Sequence, residues 1–230
     1  HANHNDFNKW YNKNGRKKKS TINKFCENIF FSDHNNKYFQ KIKKHTVLIN
    51  EAKKNNIPIY CLFAHLSYDR PVYDRTDCFE DMYDWIKKTI EILSNQNCLL
   101  LIKPHIMEYF LIDSKKPKEF LCDLIDKDSL AKNIILLEPN EYKSTEIFKF
   151  IDTSIIWRST AYIESIYFNK PAIYCGPASS YSDVINDNYL ESVESYAKIL
   201  KDSHKIKVHS SHRDKALSVL YYLNNVLVKE

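Results

Sequence analysis

Five short, predominantly apolar runs punctuate the chain, at 57–63, 98–102, 134–137, 154–157 and 172–175. They are apolar at consecutive positions rather than alternate ones, so both faces of the sheet they build must be covered, as in a parallel sheet. Between them, apolar residues recur every three or four positions. Met82, Trp85, Ile86, Ile90 and Leu93 share one helical face over 79–93,. Further helices are predicted over 119–126, 144–151, the stretch carrying Glu164, 189–201 and 214–228. Strand and helix therefore alternate, which predicts an α/β, doubly wound parallel sheet of Rossmann-like type. Ahead of it, Ile22, Phe25, Ile29 and Phe30, then Tyr38, Phe39 and Ile42, then Val47, Leu48 and Ala52 predict a helical N-terminal prelude of two or three helices,. Residues 1–20 are polar and read as a frayed start or an expression remnant,. The expected organisation is a polar start and helical prelude over 1–56, then one α/β domain over 57–230.

Composition narrows the classes. The 230 residues are 43% hydrophobic and 13% aromatic, enough for a sizeable core,. A net charge of +5 is mild, and the basic clusters at 16–19 and 41–44 read as solvated surface, so no nucleic-acid partner is expected,. No apolar run approaches about 18 residues, so membrane contact is expected to be peripheral at most,. Six cysteines without a CxxC or CxxH spacing read as buried thiols in a reducing, cytoplasmic compartment,. Only Gly15 and Gly176 occur, which excludes a GxGxxG fingerprint and a P-loop,. The nine histidines lack HExxH or HxH spacing, so neither a catalytic metal nor a cofactor is expected,.

Parallel strands collect ligands at their C-terminal ends. His65, Ser67, Tyr68 and Asp69 follow the first run, and Lys103, His105 and Glu108 the second. Arg158, Ser159, Thr160 and Glu164 follow the fourth, and Gly176, Ser179, Ser180, Tyr181 and Asp183 the fifth. Hydroxyls at a strand end that feeds a helix suit an anion, and a carboxylate one turn on suits ribose. Ser159 and Thr160 serve equally as a helix cap. His105 is either a solvated loop residue or a donor to phosphate, and Arg158 pairs with either a ligand or a carboxylate.

The segments beginning Phe79-Glu-Asp-Met-Tyr-Asp-Trp-Ile, Leu101-Ile-Lys-Pro-His-Ile-Met-Glu and Ile156-Trp-Arg-Ser-Thr-Ala-Tyr-Ile-Glu, with Asn169-Lys-Pro after them, resemble bacterial capsule and surface polysaccharide biosynthesis proteins. These relate to capsular Kdo transferases and, more distantly, to GT-B sialyltransferases. The resemblance spans about 57–200. It implies the C-terminal, donor-binding half of a GT-B enzyme, with His105, Ser159 and Thr160 at the donor phosphate, and strand-end position adds Arg158 and Lys103 to the phosphate-binding candidates. Glu164 would face the ribose or nucleotide and Asp69, matching the family's aspartate after the first strand, is the candidate base, while strand-end position adds Glu108 on the nucleotide side. Ile106 stands where the family's His-Pro pair has proline, and Asn169 where a glycine precedes Lys-Pro.

The resemblance further implies transfer of a sugar from a nucleotide donor, CMP-Kdo among them, to a saccharide or lipid-linked saccharide in capsule or lipopolysaccharide synthesis. The chain is expected to hold only the donor half, with an N-terminal domain or partner chain supplying the rest, peripheral at the inner membrane. Two other functions stay open. One is a polyol-phosphate transferase of teichoic-acid type, with Arg158 and Lys103 facing the transferred phosphate. The other is a non-catalytic nucleotide-binding module.

Overall fold

The computed structural model describes residues 4–32, 36–66, 73–111, 120–177, 190–203 and 206–227. All five predicted strands are present: β1 (Ile59–Phe63), β2 (Leu99–Lys103), β3 (Ile134–Leu136), β4 (Thr153–Ile156) and β5 (Ala172–Tyr174). Every pairing is parallel, and the order across the sheet is β3-β2-β1-β4-β5. That order runs one way from β1 to β3 and then restarts on the other side of β1, which defines a doubly wound sheet with its switch point between β1 and β4.

Strand side chains alternate between two cores. Ile59, Cys61 and Phe63 join Leu99, Leu101, Ile135, Ile156 and Tyr174 on one face. Tyr60 and Leu62 join Leu100, Ile102, Leu136, Ile155 and Ile173 on the other. The second face is covered by α4 (Met82–Ser94), α6 (Leu121–Leu124) and α9 (Val193–Asp202). The first is covered by α7 (Ser144–Ile147), α8 (Ala161–Tyr167) and α10 (Ser210–Asn225), together with the prelude helices α2 (Lys19–Phe30) and α3 (Thr46–Lys54). The continuous apolar runs thus have the expected cause. α4 starts three residues later than predicted because Asp81 caps it, its carboxylate accepting the Asp84 N–H at 2.8 Å,.

The first residues depart from expectation. Instead of fraying, His4–Asn14 form helix α1. Phe7 is 1% exposed, stacks on Tyr11 and meets Tyr222 edge-on, while Trp10 lies against Tyr221. Three aromatics at i, i+3 and i+4 make a helical stripe inside an otherwise polar segment, and α10 receives it.

Two turns carry backbone constraints. Asn169 adopts φ 57°, the left-handed region that asparagine tolerates, and so reverses the chain from α8 into β5,. Gly176 follows β5 so close to β4 that an added Cβ would lie 1.8 Å from the Trp157 carbonyl oxygen. All six cysteines are free, five of them buried. Among the described residues, no helix is long and apolar enough to cross a membrane.

Candidate functional site at the C-terminal edge of the sheet

Because all five strands run the same way, the residues following β1, β2 and β4 share one edge. The pairing of β1 and β2 continues past the strand ends, with the Ala64 N–H donating to the Lys103 carbonyl at 3.1 Å. This holds His65 beside His105, their rings nearly parallel at 19° with centroids 6.4 Å apart. In each ring Nδ1 accepts a hydrogen bond from the histidine's own loop. His65 takes the Leu66 N–H at 2.8 Å, and His105 takes the Met107 N–H at 3.2 Å. A neutral imidazole whose Nδ1 accepts carries its proton on Nε2. Both rings are therefore set as Nε2–H donors.

Lys103, the last residue of β2, is 6% exposed, and its ammonium donates to the carbonyls of Pro104 and Pro139, both at 3.3 Å. Burial pulls its pKa down to about 8, against the opposing pull of Cys61, Glu164 and Glu108. It ties the loops after β2 and β3 together and sets a positive charge beneath the edge. Glu108, on the short helix α5 (Ile106–Leu111), is also buried and accepts the Leu121 N–H at 3.2 Å.

At the end of β4, Ser159 and Thr160 open α8. The Ser159 hydroxyl accepts the Ala161 N–H at 3.1 Å, which uses a lone pair and keeps the hydroxyl proton for donation,. Thr160 donates to Glu164 Oε1 at 3.2 Å. Capping a helix N–H is thus a role that Ser159 fills, whereas the Thr160 hydroxyl makes no cap bond. Glu164 keeps an opening to solvent, yet protein atoms crowd its carboxylate. Burial raises its pKa to about 7, the Thr160 bond and the Lys103 charge pulling the other way. Lys103 and Glu164 therefore act on one another across β1. Arg158 pairs with Asp74 at 3.8 Å, the carboxylate alternative weighed for it.

The topology brings Lys103, His105, Arg158, Ser159, Thr160 and Glu164 to one edge, with Glu108 behind it. Asp69, Ser67, Tyr68 and the 179–183 group lie outside the described residues. His65 was visible as a strand-end residue, but its pairing with His105 needs the β1–β2 adjacency. Glu141, fully buried in the loop after β3, was not anticipated. It accepts the His45 backbone N–H at 3.1 Å and the His45 ring Nδ1 at 2.9 Å, while Lys43 donates to its carbonyl. The linker before α3 is thereby strapped to this edge. A cavity of about 530 Å³ lies elsewhere, at the opposite edge, lined by Pro58, Tyr60, Asp152 and Lys201. It contains none of these groups, and the strand-end rule favours the C-terminal edge. Among the described residues, no cluster of three or more His, Cys, Asp or Glu has the arrangement of a metal site.

No protein-family model matches the chain. No curated protein matches it either. Among solved structures it is similar to the Methanocaldococcus jannaschii UDP-GlcNAc 2-epimerase in complex with UDP-GlcNAc and UDP, at 14% identity and a TM-score of 0.46. That similarity covers 83% of this chain and 49% of the other. A putative UDP-N-acetylglucosamine 2-epimerase from Listeria monocytogenes gives 12% identity and a TM-score of 0.41, covering 84% and 50%. The glycotransferase of kitacinnamycin gives 12% and 0.32, covering 76% and 37%. The chain thus spans half or less of the length of these structures.

Proposed function

We propose that the chain binds a nucleotide-activated sugar as the donor-binding half of a GT-B glycosyltransferase in capsule or lipopolysaccharide synthesis. The observation that carries this is the gathering of donors for an anion and a carboxylate for hydroxyls at a switch-point edge. The Nε2–H of His105 and the Ser159 hydroxyl would bind the donor phosphate. Glu164, oriented by Thr160, would take the ribose hydroxyls. The reaction is displacement of the nucleotide by an acceptor hydroxyl, so negative charge grows on the leaving phosphate. Fixed donors and the buried Lys103 charge would stabilise that charge more in the transition state than in the ground state. Capsule and lipopolysaccharide enter through the sequence resemblance alone.

Transfer of a polyol phosphate fits less well. It needs cations facing the transferred group, whereas Arg158 is paired with Asp74 and Lys103 with two carbonyls. The test is a thermal-shift panel with CMP, UDP, GDP and CDP, each beside its nucleoside and with and without EDTA. A ligand at 100 times its Kd adds about 2.7 kcal/mol of stability. At least one nucleotide should raise the melting temperature, its nucleoside should do so less, and EDTA should change nothing. The proposal fails if no nucleotide stabilises the chain, and metal-free binding fails if EDTA removes the effect.

A further inference from the structure

We infer that the α1–α2 arm is a docking surface for an anionic bilayer, with its free lysines and Arg16 on the lipid headgroups and Phe31 at their inner boundary. The inference is independent of the nucleotide reading and rests on where the charge of the molecule sits.

Residues 4–32 hold seven of the 34 lysines and arginines but two of the 29 aspartates and glutamates. They carry +5, the net charge of the whole chain, and the remainder is balanced at 27 of each sign. Of the seven cations, Lys9 pairs with Asp6 at 3.9 Å and Lys19 with Asp214 at 2.7 Å. Lys13, Arg16, Lys17, Lys18 and Lys24 are exposed and make no ion pair among the described residues. Glu27, the other acid of the arm, accepts the Tyr167 hydroxyl at 3.3 Å. The basic cluster at 41–44 differs. Lys43 pairs there with Glu146 at 3.1 Å and Lys44 with Glu138 at 3.9 Å, which leaves Lys41.

Packing holds the arm in place. Lys19 fastens the start of α2 to α10, and Phe25 meets Tyr221 edge-on further along. The turn over 15–18, with three of the free cations on it, is fixed between two docked helices. The faces of α2 select the partner. Ile22, Cys26 and Phe30 are buried, while Thr21, Lys24, Asn28 and Phe31 fall on the opposite side,. Phe31 is 51% exposed, its ring standing edge-on to Phe168. A basic face that ends in an exposed aromatic suits a bilayer surface, where cations meet anionic lipid and the ring enters the acyl boundary. A nucleic-acid duplex would use the cations and leave Phe31 in water.

The experiment is sedimentation of the chain with phosphatidylcholine vesicles, either plain or mixed with phosphatidylglycerol. The wild type should sediment with the mixed vesicles and not with the plain ones. Salt at about 1 M, where the Debye length is about 3 Å, should release it. An anionic leaflet favours each nearby Lys or Arg by about fivefold in affinity. Glutamine at Arg16, Lys17, Lys18 and Lys24 together should therefore weaken binding about a hundredfold or more, with an unchanged thermal melt. Glutamine at Lys87, Lys132, Lys198 and Lys201 removes the same charge away from the arm and should leave binding as it was, because distant exposed charges are screened,. Should the first variant melt lower, Lys17→Gln with Lys24→Gln carries the same test, with a loss of about twentyfold. Absence of wild-type binding to the mixed vesicles would overturn the inference. So would equal loss in the arm variant and its charge-matched control, or no loss in the arm variant. A DNA duplex that strips the chain from the vesicles at equal phosphate concentration would assign the surface to nucleic acid and overturn it as well.

Discussion

Glu164 and Lys103 both pay for their place at the sheet edge in proton affinity. Burial raises Glu164 from 4.5 to about 7, so between those values the folded chain holds a proton that the unfolded chain has released. Stability from this group therefore falls as pH rises through 4.5 to 7 and is level above it,. Lys103 is lowered from 10.5 to about 8, so the unfolded chain holds the extra proton there and stability rises between 8 and 10.5,. Glu164→Gln removes the first dependence. The variant's stability minus the wild type's, from urea unfolding, should grow with pH between 4.5 and 7 and then level off. A difference that stays constant over that window would show that the carboxylate is not held against its charge. Some of this scale is legible in the sequence. Asn169 stands where the family has a glycine, and it adopts the left-handed backbone angle that a glycine position favours,. The burial of Lys103 was not foreseen, because a lysine before Pro104 gives no sign that the Pro139 carbonyl will fold over it.

At the scale of elements, apolar periodicity located every strand to within two residues and the central helices to within a few. It missed α1, where the aromatic spacing of Phe7, Trp10 and Tyr11 was outweighed by polar neighbours. The partner residues, Tyr221 and Tyr222, lie some two hundred positions away, so no local pattern reveals the contact. If α1 is an integral part of that core, Phe7→Ala should cost about 3–5 kcal/mol, the range for emptying a buried phenylalanine site. Lys9→Ala, on the solvent side of the same helix, should stay within about 0.5 kcal/mol. Urea unfolding of both variants checks this, and equal midpoints would mean that α1 adds nothing to the core. The short helices α6 and α7 were predicted longer than they are. Each gives way to turns within a few residues, and a periodic pattern cannot locate that boundary.

At the scale of the molecule, strand order does what no single motif does. With no glycine-rich loop, the chain depends on its topology to bring His65, His105, Ser159 and Glu164 to one edge, although they lie as much as a hundred positions apart. The parallel sheet was legible from the apolar runs. The order β3-β2-β1-β4-β5 was not, because strand adjacency is set by packing between elements rather than within them. Arg158 shows the same limit: its strand-end position was readable, but its partner Asp74 lies in a distant loop. The strap through Lys43, His45 and Glu141 shows it again, joining the linker before α3 to the loop after β3. The central claim is that this edge holds a nucleotide by its phosphate. Calorimetric titration of CMP and cytidine into the wild type and His105→Ala tests it most directly. One hydrogen bond to a charged group is worth roughly 1.5–3 kcal/mol, so His105→Ala should weaken CMP about tenfold to a hundredfold and leave cytidine unchanged. Equal weakening of both, or no weakening of CMP, would contradict the assignment.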